Sequence, residues 1–293
     1  MNVATKIAES ETIIGGNLLD VAGLTTSFPG PGGQTSVVSN ASFAVAPGTI
    51  TGIVGESGSG KSVSIKSVLG LVRAPGRIEA GSARFSSSRG PIDLLSCKAR
   101  LRRAVLATDI GYVIQNPFAA LHPVVPIRQQ FRIALSASSD FAGKTKAELD
   151  AIGFEALSQV GINDPARVLS GYAHQLSGGM AQRVVIAFAL ARKPRLIIAD
   201  EPTTALDMTV QRQILDIMAE RAADLNASVL LITHDLGVVA HYCRDAFVFY
   251  RGAVVEQGSV EKIFHQTEHP YTRQLIAASG GGKAAYDAAK ETT

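Results

Sequence analysis

Apolar positions recur along this chain with changing period, and the changes mark its elements. From Leu18 to Val45 they form short strand-like runs, broken by the turn-rich stretch Pro29–Ser36 (PGPGGQTS). Pro47-Gly48 marks a further turn. Thr49–Val54 (TITGIV) then predicts a strand, followed by a glycine-rich loop and a helix from Lys61 to about Leu71. Residues 76–95 are small and polar, as strands and loops are. Residues 96–106 predict a helix whose basic face is solvated. Ile110–Gln115 (IGYVIQ) predicts a strand. Residues 124–161 carry helical spacing through Phe131, Leu135, Leu149, Ile152, Leu157 and Val160. A helix is expected over Gly178–Ala191. Leu196–Ala199 (LIIA) is continuously apolar, as buried parallel strands are. A helix at 208–224, a strand at 228–233 and β-rich text at 246–256 complete the body. Strands alternating with helices predict an α/β fold on a parallel sheet. Residues 1–16 read as a loose lead-in and the C-terminal SGGGKAAYDAAKETT as a flexible tail.

Composition changes this picture little. Hydrophobic residues make up 46% of the 293 positions, enough for a large core. Lys+Arg 28 against Asp+Glu 25 is close to balance, so no nucleic-acid partner is expected. The most apolar run, Val184–Ala191, is far short of the roughly 20 residues that span a bilayer. The mean hydropathy of +0.18 is therefore read as a filled core. The start of the chain does not read as a signal peptide. Cys97 and Cys243 lie too far apart in sequence to make a disulfide framework or a CxxC metal site by themselves.

The candidate chemistry begins at Gly55–Ser62, GESGSGKS. It satisfies G-x-x-x-x-G-K-[ST] between a strand and a helix. Glycines 55, 58 and 60 let backbone N–H groups turn inward as an anion nest, and the helix N-terminus adds its positive end. Lys61 is placed to reach β- and γ-phosphates and Ser62 to put its hydroxyl on Mg²⁺. LIIADE delivers Asp200 to a strand's C-terminal end, a second position for Mg²⁺. Glu201 follows, placed to activate water. LSGGM, Leu176–Met180, reads either as a second anion-binding helix start or as an ordinary serine cap.

With these motifs in this order, the chain resembles the ATP-binding-cassette (ABC) ATPases over about residues 18–275. GESGSGKS is similar to their Walker A, LIIADE to Walker B and LSGGMAQR to the signature. Gln115 of IGYVIQNP is similar to the Q-loop glutamine, TTALD (Thr203–Asp207) to the D-loop and His234 of LITHD to the switch histidine. The resemblance implies a P-loop NTPase cassette with a RecA-like parallel-sheet core, an N-terminal antiparallel β subdomain and a helical signature subdomain. The cassette is expected over 17–264, with 116–180 mostly helical, and 265–293 as a short C-terminal segment and tail. It implies a head-to-tail pair of cassettes with ATP between them. ATP would then lie against Phe28, Gly55, Glu56, Ser57, Gly58, Ser59, Gly60, Lys61 and Ser62 of one cassette, and against Ser177, Gly178, Gly179 and Asp207 of the other. Phe28 is the expected adenine platform, with a core or hairpin role as its alternative. Mg²⁺ would involve Ser62, Gln115 and Asp200, and catalysis Glu201, His234 and Gln115.

Two stretches narrow the resemblance to peptide- and nickel-uptake ATPases: NPFAALHPV (Asn116–Val124) and HPYTRQL (His269–Leu275). Pro270 also suits a first helical turn, so HPYT reads equally as a helix cap. No cysteine follows Cys243, so no iron–sulphur cluster is expected. The implied assembly is an importer: a second ATPase chain, different or identical, two transmembrane permeases and, indirectly, an extracytoplasmic solute-binding protein. This chain would sit peripherally on the cytoplasmic face of the membrane. Peptides are the expected solute class and nickel or metal chelates the alternative. A soluble ABC ATPase acting on ribosomes or DNA would carry a second cassette, a coiled-coil insertion or zinc cysteines, none of which the sequence offers. The peptide/nickel-like stretches argue against an exporter.

Overall fold

The computed structural model describes residues 16–30, 32–204, 206–279 and 286. Most of the expected tail and nearly all of the 1–16 lead-in lie outside them. The N-terminal apolar runs form β1 (Leu19–Gly30) and β2 (Gly33–Val45), paired antiparallel out to Gly30↔Gly33. The turn-rich stretch Pro29–Ser36 therefore does not break the strands; it is the hairpin's tip. Pro29 fits on β1 because pairing on that strand's other side, with Arg77–Ser87, ends at Ser27, so no ladder bond is lost.

β3 (Ile50–Val54) leads into α1 (Lys61–Val68). This helix stops before the expected Leu71 because Gly70 turns left-handed at φ 66°. β4 (Arg77–Ser87) and β5 (Gly90–Asp93) complete a 4-stranded sheet in the order β2-β1-β4-β5. On α2 (Ala99–Thr108) Arg100 and Arg103 face solvent, but Arg102 is half-buried and donates to the Leu94 carbonyl at 3.1 Å.

β6 (Ile110–Val113) is followed by α3 (Pro117–Ala120), α4 (Ile127–Ser136), α5 (Lys146–Gln159) and α6 (Pro165–Ser170). The helical spacing expected over 124–161 is thus split between α4 and α5. Gly143 turns at φ 82°, and Thr145 restarts the helix in a capping box with Glu148. The bidentate pair of Arg132 with Asp150, at 2.6 Å through each nitrogen, ties α4 to α5.

α7 (Gly178–Leu190), β7 (Leu196–Asp200), α8 (Met208–Asp224) and β8 (Ser228–Thr233) lie where the sequence puts them. α9 (Leu236–Tyr242), β9 (Asp245–Tyr250), β10 (Ala253–Ser259), α10 (Val260–His265) and α11 (Pro270–Ala278) close the chain. The 6-stranded sheet runs β10-β9-β3-β8-β7-β6 and is parallel except at the β9–β10 hairpin.

Both faces of this sheet are buried, which is why β7 and β8 are continuously apolar. Ile197, Ala199, Val229 and Leu231 join the core under α4, α5, α7 and α8. Their neighbours Leu196, Ile198, Leu230 and Ile232 face the core shared with α1 and the antiparallel sheet. A third core holds α9, α10 and α11 through Leu236, Val239, Val248, Phe264 and Tyr271. Among the described residues no helix is long and apolar enough to cross a membrane.

Candidate active site

β3 ends at Val54, and the chain must then turn sharply into α1. Gly55 makes this possible. It sits at φ 155°, and a Cβ there would lie 2.2 Å from the Phe249 carbonyl oxygen. Gly60 caps α1 at φ 102°, where a Cβ would be 2.8 Å from the Val37 carbonyl. The loop is braced from outside by the β9–β10 hairpin, through Gly252 N–H donating to the Ser59 carbonyl at 2.9 Å. Ser59 is buried, and among the described residues its hydroxyl has no hydrogen-bond partner. Ser57 and Gly58 are exposed at the loop's tip.

Lys61 is only 4% exposed. Its Nζ donates to the Gly55 and Glu56 carbonyls at 2.6 and 2.8 Å. Burial pushes its pKa below the usual lysine value, against the opposing pull of Glu201, Asp200 and Glu56. Ser62, one residue on, donates its hydroxyl to Asp200 Oδ1 at 2.6 Å across 138 residues. Asp200 Oδ2 accepts from the Tyr112 hydroxyl at 3.2 Å. Burial first, and then Asp200, push that phenol well above its usual pKa, so it stays a donor.

Glu201 follows Asp200 in a left-handed conformation, φ 47°, with its N–H on the Ile232 carbonyl at 2.9 Å. Its Oε2 accepts from Gln115 Nε2 and from the Thr204 hydroxyl, both at 3.0 Å, and lies 3.6 Å from His234 Nδ1. The glutamine after β6, the glutamate after β7 and the histidine after β8 thus meet on one carboxylate oxygen. Thr204 and Tyr112 are not legible in the sequence as site residues. Thr204 lies within TTALD, but nothing in that text says that its hydroxyl turns back three residues. Tyr112 stands in IGYVIQ as an ordinary strand aromatic.

Among the described residues no side-chain hydrogen bond joins the remaining sequence candidates to this cluster. Ser177 caps α7, accepting from Met180 N–H at 3.3 Å, and Gly178 and Gly179 form its first turn against Leu206 and Val210. Asp207 caps α8 through Thr209 and Val210 N–H, at 3.1 and 3.0 Å. Among the described residues no hydrogen bond ties Ser177–Gly179 to the Gly55–Ser62 loop. Phe28 is half-buried at the far end of β1, its ring against Gly76.

A glycine-rich loop and helix start, a buried lysine and a strand-end carboxylate pair on a parallel sheet define a P-loop ATPase. The family model for "ABC transporter" matches residues 38–204, and the chain belongs to that family. It is 42% identical to the dipeptide transport ATP-binding protein DppD of Haemophilus influenzae, over 88% of this chain and 76% of that one. It is 38% identical to the oligopeptide transport ATP-binding protein OppD of Lactococcus lactis, over 92% and 78%. Among solved structures, the ATP-binding cassette MJ0796 bound to ADP and Pi shares the fold. Its TM-score is 0.72 at 23% identity, covering 83% of this chain and 98% of that one.

Proposed function

We propose that this chain is the ATPase subunit that energises peptide uptake by an ABC importer. The observation that carries the ATPase half is the Ser62–Asp200 hydrogen bond at 2.6 Å, which brings the loop and the strand-end acids to one point. The peptide half rests on relatives named for dipeptide and oligopeptide transport.

On this reading the Gly55–Ser62 loop, including Glu56, Ser57, Gly58, Ser59 and Gly60, wraps the phosphates of ATP, and Lys61 supplies the charge. Ser62 and Asp200 present hard oxygen donors, and the Gln115 side-chain carbonyl offers another. One carboxylate with neutral oxygens suits Mg²⁺, which keeps waters and phosphate oxygens as its other ligands. That ion would supply charge neutralisation at the phosphates. Glu201 accepts a proton from the attacking water, Gln115 and Thr204 hold its carboxylate, and His234 steadies the same oxygen from the β8 side. Phe28 offers its ring to the adenine. Ser177, Gly178, Gly179 and Asp207 complete the site of a second cassette, a different chain or a second copy. That no hydrogen bond joins Ser177–Gly179 to the loop of their own chain, among the described residues, supports that half-site arrangement. The other partners are two transmembrane permeases and, through them, a solute-binding protein, with this subunit on the cytoplasmic face.

The test is uptake of labelled di- and oligopeptides, and of Ni²⁺, in a strain lacking the gene. Wild type is expected to restore peptide uptake and Lys61→Ala to fail. Unchanged peptide uptake with lost Ni²⁺ uptake would transfer the reading to metal import. Full restoration by Lys61→Ala would remove the phosphate loop from the function.

A further inference from the structure

In the sequence, HPYT reads as a family mark or a helix cap, and neither reading accounts for Tyr271. Its hydroxyl oxygen accepts a hydrogen bond from the Glu56 backbone N–H at 3.0 Å, across 215 residues. That N–H shares one planar peptide unit with the Gly55 carbonyl, and in a trans peptide the two groups point to opposite sides. The Gly55 carbonyl oxygen accepts from Lys61 Nζ at 2.6 Å. One rigid plate is therefore gripped at one edge by Tyr271 and grips Lys61 at the other. A glycine on its N-terminal side restrains this plate less than any other residue would, so an outside hold has something to do.

The hold is itself built. Tyr271 is 6% exposed, and its ring stacks on Tyr250 at 4.1 Å and 27°. Its own N–H donates to His269 Nδ1 at 3.2 Å, with Pro270 opening α11. The approach to that helix is fixed by one carboxylate, Glu256, which accepts from the Thr267 hydroxyl at 2.8 Å, Glu268 N–H at 2.9 Å and His269 N–H at 3.4 Å. Burial raises the Tyr271 phenol above its usual pKa, so the group stays neutral beside Glu56.

We infer that Tyr271 is a positioning residue for nucleotide binding: through the Gly55–Glu56 peptide it sets the Lys61 ammonium, which makes α11 a determinant of ATP affinity. The inference rests on Gly55–Ser62 being the phosphate loop. It is tested on the full chain with Tyr271→Phe, which keeps the ring and its stack and removes only the hydroxyl. Kd is measured by titration with MgATP and with AMP, kcat and KM by phosphate release, and Tm without nucleotide. The net worth of one hydrogen bond corresponds to about a three- to tenfold rise in Kd and KM for MgATP. Little change is expected in AMP affinity, because AMP lacks the phosphates that Lys61 meets. The kcat should stay within about twofold, and Tm should fall by no more than the roughly 2–4 °C that one hydrogen bond is worth in a chain of this size. MgATP affinity unchanged to within twofold overturns the inference. So does an equal weakening of MgATP and AMP with a lowered Tm, which would make the hydroxyl a purely structural support. Wild type binding MgATP no more tightly than AMP would instead overturn the phosphate-loop reading, a result visible before any variant is made.

Discussion

Replacing Glu201 by Gln separates chemistry from binding at this site. The carboxylate is 13% exposed, and its Oε2 collects Gln115 and Thr204 at 3.0 Å with His234 at 3.6 Å. Glutamine has the same length, and its amide oxygen can accept from Gln115 and Thr204 as before. What disappears is the charge and the capacity to take a proton. General-base catalysis is worth about 10²–10⁴ in rate, or roughly 2.7–5.5 kcal/mol of barrier. The charge-assisted share of the lost hydrogen bonding is about 1 kcal/mol, which moves Tm by roughly 2–4 °C in a chain of this size. The groups placed to meet phosphate are not touched: Lys61 stays on the Gly55 and Glu56 carbonyls, and Ser62 stays on Asp200. The expected outcome is a Kd for MgATP within about threefold of wild type with phosphate release at least a hundredfold slower. Kd is measured by titration with MgATP and phosphate release at saturating MgATP, both with the partner cassette present. Turnover within tenfold of wild type would refute Glu201 as the base, whatever the affinity.

Three further expectations follow from backbone and packing. Glu201 sits at φ 47°, so Glu201→Gly should be more stable than Glu201→Ala by about 1 kcal/mol in thermal melts, though both lose turnover. An alanine methyl at 55 would lie 2.2 Å from the Phe249 carbonyl, whereas one at 58 meets nothing within 4 Å. Gly55→Ala should therefore lower Tm by several degrees more than Gly58→Ala, which bears only the cost of its φ of 81°. Burial of Glu256 favours its protonated form, but hydrogen bonds from Glu268 N–H, the Thr267 side chain and His269 N–H outweigh it and hold the pKa below the usual value. A depressed carboxylate stabilises fully above its unfolded pKa of about 4.5, and the contribution is lost as pH falls through the folded value. Tm measured from pH 6 down to pH 3 should fall less steeply in Glu256→Gln than in wild type.

The sequence showed the loop and the strands that carry the site, but not how they meet. β7, β8 and α8 were legible because each is a run of one period: continuous apolar text for strands buried on both faces, and a helical stretch opened by the Asp207 cap. The break between α4 and α5 was less visible, since apolar residues keep helical spacing across it. Its signals, Gly143 and the Thr145–Glu148 box, are short and polar. α9 is too brief to show a period of its own, although Asp235 stands at its start as a cap for Gly237 and Val238. Convergence on Glu201 needs a fact that chain order does not hold. β6, β7 and β8 are neighbours in space and run parallel, so their C-terminal ends deliver Gln115, Glu201 and His234 to one edge. Tyr271 needs more still, because a strand aromatic, a helix start and a loop amide meet across 215 residues.

The polar groups of the proposed site largely satisfy one another without nucleotide. Lys61 rests on backbone carbonyls, Ser62 on Asp200, and Glu201 on Gln115 and Thr204. Binding a phosphate chain then exchanges hydrogen bonds rather than adding them, and each exchange nets only about 0.5–1.5 kcal/mol. What binding adds is charge: the Lys61 ammonium is buried beside Asp200, Glu201 and Glu56, and a phosphate chain would bring it further anionic oxygens. Two adjacent acids near one lysine leave the pocket's inner wall acidic, which disfavours a polyanion unless a divalent cation stands between. On the proposed reading, affinity for ATP should therefore depend steeply on Mg²⁺. Hydrolysis should depend on a second cassette as well, because among the described residues no hydrogen bond joins the Ser177 helix start to the loop of its own chain.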